Sequence, residues 1–228
     1  MPPPAKPQAA KAARQPAKLL RFTRGERWVH RTTAILMGIC LVTAALLYVD
    51  VLSQLTGHRA FVEWVHVIAG IGLPIPALIG LGSKAFRRDA RILNRFSRND
   101  WKWLRSRSRR NGTIPVGKFN AGQKLNANFQ LGGILVMLAT GLVMRFANHW
   151  SISLRTGATF VHDWLSYAIL AVVLGHLWLA NRDPNALRGM RTGYVPTAWA
   201  RREHLAWAVR ETTRVNDIKK IKRPTNAS

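Results

Sequence analysis

TFVHDWLSYAILAVVLGHLWLA, residues 159–180, holds a single formal charge, Asp163, in a run otherwise dominated by Leu, Val, Ala and aromatic side chains. As a helix it would rise about 33 Å, enough to cross a hydrocarbon core of about 30 Å. Two histidines interrupt it, His162 and His176. Fourteen helical residues place them about 21 Å apart along the axis and only about 40° apart around it. One helix face therefore presents an imidazole near each membrane surface.

Three further apolar stretches of spanning length lie at 28–49, 61–83 and 125–147. The second contains Pro74 and Pro76. These remove backbone donors and predict a kink or break in its later half, tolerable where neighbouring helices satisfy the freed carbonyls. The expected fold is an all-α integral membrane four-helix bundle over 21–200. A basic N-terminal tail over 1–20, rich in Pro and Ala and read as disordered, would precede it, and a basic C-terminal tail over 201–228 would follow.

Charge sets the orientation. The chain has 35 Lys and Arg against 10 Asp and Glu, a net charge of +25. All the basic residues except Arg59, Arg145 and Arg155 fall in 1–31, in 84–124 or after 180. The positive-inside rule then puts both termini and the middle loop in the cytoplasm of a bacterial inner-membrane protein. A charge this large would point to nucleic acid in a soluble chain, the more so with Trp101 and Trp103 in the loop. Flanked by spans, the same loop suits anionic lipid headgroups or a partner subunit, and no nucleic acid is expected. The N-terminus lacks the apolar core of a secretory signal. Cys40 is the sole cysteine, so neither an internal disulfide nor a Cys-based metal cluster is available.

Four of the seven histidines lie in spans at two matched depths. His66 and His162 form an outer pair, and His30 and His176 an inner one. Neutral imidazoles on facing helices can hold one haem iron from both sides, leaving no open coordination site, which suits electron transfer. One membrane histidine can simply bond a neighbouring helix; four at two depths point to two haem b groups. His58, His149 and His204 fall in loops and read as solvated or peripheral. Gly70, Gly72, Gly132, Gly133, Gly141 and Gly175 would admit a porphyrin face, although helix packing needs glycine equally. Arg145 at the outer face, and Arg21, Arg24 or Arg27 at the inner, could meet propionates or simply snorkel. Glu26, Glu63 and Asp163 stand isolated at span ends, and there is no soluble catalytic constellation.

GKFNAGQKLNANFQ, residues 117–130, leads into the third span with several amides and two lysines. It reads either as a capped helix start, with Asn120 as cap and Lys118 and Lys124 snorkelling, or as a polar lip for a quinone headgroup. Three patterns resemble the gamma subunit of membrane-bound formate dehydrogenase, a di-haem cytochrome b: FTRGERWVH at 22–30, GKFNAGQK at 117–124, and His162 with His176 at their spacing. The resemblance covers about 22–201. It implies that His66 and His162 ligate the outer haem iron and His30 and His176 the inner. It also implies a quinone site (menaquinone or ubiquinone) at Asn120 and Gly122. The partners it implies are an iron–sulfur beta subunit and a molybdopterin alpha subunit, with molybdenum or tungsten, that oxidises formate. Hydrogenase and thiosulfate reductase cytochromes b share the scaffold, and a non-redox anchor or transporter is the reading from another class.

Overall fold

The computed structural model describes residues 16–107 and 113–221. In chain order, strand β1 (Lys18–Leu20) leads to helix α1 (Arg24–Tyr48), a short α2 (Asp50–Thr56), α3 (Arg59–Gly72) and α4 (Ile75–Gly80). Then follow α5 (Lys84–Leu93), α6 (Arg98–Arg105), α7 (Ala121–Arg145), α8 (Ile152–Asn181) and α9 (Pro184–Thr192). Strand β2 (Tyr194–Pro196), α10 (Thr197–Glu203) and α11 (Leu205–Ile221) complete it. Four segments are long and apolar enough to cross a membrane: α1, α3 with α4, α7 and α8. The fold is an all-α membrane bundle.

The boundaries follow from caps and breakers. Thr23 opens α1 through a reciprocal box with Glu26, the Glu26 carboxylate accepting from the Thr23 N–H at 2.6 Å. Asn120 opens α7 in the same way, its Oδ1 accepting from the Gln123 N–H at 2.9 Å. The third span thus begins four residues before its apolar run. Without N–H groups at Pro74 and Pro76, the second span ends α3 at Gly72 and restarts as α4. Gly80 on α4 passes so close to α1 that a Cβ there would lie 2.9 Å from Val29 Cγ2.

Midway along the bundle, Met37, Leu73, Ile134 and Ile169 form a core cluster. Ile169 is seven residues from each histidine of α8, so this apolar layer separates the two histidine levels.

The described parts of the three basic segments are gathered at one end. β1 pairs antiparallel with β2, Leu19 opposite Val195. Behind this ribbon, Leu19, Val195, Trp199, Ala200, Trp207 and Ala208 make a second core. Residues 18–20, expected in a tail, are therefore strand, because Leu19 finds an apolar partner 176 positions away; residues 1–15 lie outside the described ones. The segment expected as a C-terminal tail is likewise helical as far as Ile221, with Trp207, Ala208 and Thr212 buried. At the opposite end stand Arg59, bonded to the Leu47 carbonyl, and Arg145, its guanidinium 5.1 Å from the Trp64 ring centre.

Gly193 ends α9 in a left-handed conformation, φ +90°, and its carbonyl accepts from the N–H groups of Arg21 and Phe22. A Cβ there would lie 2.6 Å from the Phe22 carbonyl oxygen. Gly193→Ala should cost at least about 2 kcal/mol from the left-handed backbone and the clash together. Thermal unfolding in detergent checks it; an unchanged midpoint would refute the packing at this corner.

Candidate functional site

The paired depths expected from sequence become facing rings. His30 on α1 and His176 on α8 have ring centres 6.2 Å apart, tilted by 52°. His66 on α3 and His162 on α8 have centres 6.4 Å apart, tilted by 64°. Two metal–imidazole bonds of about 2 Å each, with each ring centre about 1.2 Å behind its nitrogen, give about 6 Å between centres across one iron. Each separation would therefore accommodate one iron between the two rings. Thr43 Oγ1 lies 2.8 Å from His66 Nδ1, and Thr140 Oγ1 lies 2.9 Å from His162 Nδ1. Gly141 meets His162 directly, a Cβ there lying 3.4 Å from the ring.

The 117–124 segment crosses the basic end above the start of α7. Asn120 serves as the cap of α7, and Gly122 lies under the Trp103 ring, 3.3 Å from a would-be Cβ. Its lysines do not snorkel. Lys118 Nζ donates to Glu26 Oε1 at 3.2 Å and to Asp89 Oδ2, while Lys124 Nζ donates to Asp100 Oδ2 at 2.7 Å. All five side chains are buried. An open cleft of about 720 Å³ beside them is lined by Arg88, Arg91, Arg95, Lys118, Lys124 and Arg210, among others.

The profile of the prokaryotic cytochrome b561 family matches residues 21–193, about three quarters of the chain, a range within which all four paired histidines lie. The chain belongs to this family. It is accordingly a multi-pass bacterial membrane cytochrome that carries haem b. It is 24% identical over 210 residues to the formate dehydrogenase cytochrome b556(fdo) subunit of Escherichia coli K12, covering 86% of this chain and 95% of that one. It is 25% identical over 118 residues to the formate dehydrogenase cytochrome b556 subunit of Haemophilus influenzae. With the nitrate-inducible cytochrome b556(Fdn) subunit of Escherichia coli K12 it is 28% identical over 95 residues. In these last two cases the match takes in 48% and 40% of this chain and spans about half the relative's length, 50% and 44%.

In this cytochrome the histidine missed by sequence reasoning is His204. It is 2% exposed, not solvated, and it ties three segments together. Arg21 can only donate, so at 3.0 Å it fixes His204 Nε2 as acceptor; Nδ1–H then donates to the Gly117 carbonyl at 2.8 Å. Arg21 also donates to the Lys118 carbonyl and stacks on Trp199, its Cζ 4.9 Å from the ring centre. Burial lowers Arg21 to about 10, so it remains cationic at neutral pH. Of the arginines considered for propionates at this end, Arg21 is thus enclosed. Arg27 donates to the Arg191 carbonyl at the end of α9, and Arg24 is exposed. No local sequence signal marks His204, because its partners are distant in the chain.

Burial first, and the Arg21 cation second, push His204 down to about 3. Its folded value lies below its unfolded value near 6.5, so its contribution to stability is complete above pH 6.5 and is lost as pH falls towards 3. Acidification from pH 7 to 5 should therefore cost about 2 kcal/mol through this residue. Comparing thermal midpoints of wild type and His204→Gln across that range isolates the slope. Equal slopes in the two proteins would contradict it.

Proposed function

We propose that this cytochrome is the membrane subunit of a formate dehydrogenase complex and passes electrons through two b haems to quinone. The observation that carries the reading is the pair of imidazole–imidazole separations, 6.2 and 6.4 Å, at two levels of one bundle. The relatives whose names specify formate dehydrogenase support the choice of complex. Each haem, when bound, would supply a reversible one-electron couple.

In this reading His66 and His162 hold the outer haem, and His30 and His176 the inner. The concentration of Lys and Arg at one end supports a cytoplasmic location for that end and for both termini. An iron–sulfur beta subunit would deliver electrons at the opposite end, from a molybdopterin alpha subunit that oxidises formate. Quinone would bind at the basic end beside Asn120 and Gly122, where the Asn120 side-chain oxygen is used by the cap and its NH2 group is the donor. Asp89 lies in the same polar layer, and burial with the neighbouring Glu26 carboxyl raises it to about 7. It is thus suited to exchange a proton near neutral pH as quinol forms.

The test is a dithionite-reduced minus oxidised optical spectrum of the purified chain, with haem quantified per polypeptide. Two haem b per chain are expected, together with formate-dependent quinone reduction by the co-purified complex. One haem or none would overturn the two-haem assignment. A nickel-containing large subunit in the complex would overturn the choice of formate dehydrogenase.

A further inference from the structure

Thr43 and Thr140 repeat one arrangement on two helix pairs. On α1, the Thr43 hydroxyl donates back to the Ile39 carbonyl at 2.6 Å, with the Cys40 carbonyl at 3.1 Å. On α7, the Thr140 hydroxyl donates to the Val136 carbonyl at 2.8 Å, with the Met137 carbonyl at 3.2 Å. A hydroxyl has one proton to give. With that proton held by the helix backbone, each Oγ1 can only accept from the imidazole beside it, at 2.8 Å for His66 and 2.9 Å for His162. Nδ1 must then carry the imidazole proton in both rings. The Cys40 and Met137 carbonyls, acceptors only, stand beside the same two rings. Nε2 is left with its lone pair free on each.

No such partner meets the other pair. Among the described residues, neither His30 nor His176 has a protein group hydrogen-bonded to its ring. The two levels of the bundle differ in this respect although their ring separations are alike.

We propose that Thr43 and Thr140 are positioning residues that lock His66 and His162 as Nδ1–H tautomers presenting Nε2 to the outer haem iron, and that they thereby lower the potential of that haem. The inference rests on the two-haem reading above and deepens it. A hydrogen bond accepted from Nδ1–H makes the opposite nitrogen a stronger donor, which favours ferric over ferrous iron. The effect is confined to the level where electrons would be received, and its sign favours onward flow to the inner haem.

The experiment is a potentiometric titration of the purified wild-type complex and of Thr43→Val, Thr140→Val, the double valine variant and the double serine variant (T43S/T140S). The component missing from His66→Ala identifies the outer haem. Valine keeps the side-chain shape and removes the acceptor, whereas serine keeps the hydroxyl. In the double valine variant the ratio of reduced to oxidised outer haem at a fixed potential should rise about tenfold, equivalent to ~59 mV for one electron. The inner haem should not move, the serine variant should match wild type, and only one low-spin ferric resonance signal should change. An unmoved outer haem in the double valine variant, or equal movement of both haems, would overturn the proposal. Should the valine variant lose the outer haem, the serine variant decides: full occupancy at the native potential supports the lock, and equal loss overturns it. A wild-type chain with a single haem would remove the two-haem reading instead, and this inference with it.

Discussion

If the proposed two-haem, quinone-reducing reading holds, replacing His66 or His162 with Ala should remove one haem of two, lower the reduced b-type absorbance by about half and abolish electron delivery to quinone. The expectation follows from geometry at two levels. Each pair would hold one iron in the proposed reading, with ring centres 6.2 and 6.4 Å apart. Losing either imidazole would leave one histidine to hold the haem and a methyl group where the second donor would have stood. The other pair lies fourteen residues along α8, about 21 Å away, with the Met37, Leu73, Ile134 and Ile169 cluster between. Local damage at one level should therefore leave the other intact. The loss should exceed the roughly 10–100-fold typical of removing a partner of a ligand, because the ligand itself is gone. His149→Ala, outside both pairs, provides the control and should retain both haems. Haem quantification with quinone-reductase activity checks the set, and two haems persisting in either His66→Ala or His162→Ala would defeat the pairing.

Lys118→Met is the substitution expected to cost most in stability. Lys118 is 4% exposed, and its ammonium bonds two carboxylates, Glu26 and Asp89, each 6% exposed. Among the described residues Asp89 Oδ1 accepts no hydrogen bond, with only the exposed Arg88 guanidinium near it, at 3.8 Å. Deleting the cation would leave two acids facing each other out of water. Breaking a buried pair from one side costs about 3–5 kcal/mol. In a chain of this size that is a fall of roughly ten degrees in the unfolding midpoint. Asp89→Asn added to Lys118→Met should recover part of the loss, since it replaces one of the two facing acids with a neutral amide. A midpoint within about a degree or two of wild type, or a double variant worse than the single one, would show that the three groups do not act as a unit.

This cluster also gives the arginine-rich middle loop part of its purpose. Its two aspartates, Asp89 on α5 and Asp100 on α6, each take a lysine from the 117–124 segment. Burial outweighs the pull of Lys118 and raises Asp89, whereas Lys124 and the Ser97 cap outweigh burial and lower Asp100. The loop is thereby drawn onto the start of α7, and Trp103 is brought over Gly122.

The amino-acid sequence by itself determined four spans, the segregation of Lys and Arg to one end, the break at Pro74 and the matched depths of four histidines. Each depends on hydropathy or helical period, properties that a residue carries in its own stretch of chain. The tertiary structure alone decided which hydroxyl faces which imidazole, that Lys118 turns inward to Glu26, 92 residues away, and that His204 is enclosed by Arg21, 183 residues away. No local pattern announces these, because a lysine beside a membrane has the same neighbours in sequence whether it reaches for water or for a buried acid. The choice is made by what other segments bring to it once they are packed, where an unpaired charge would be too costly to keep.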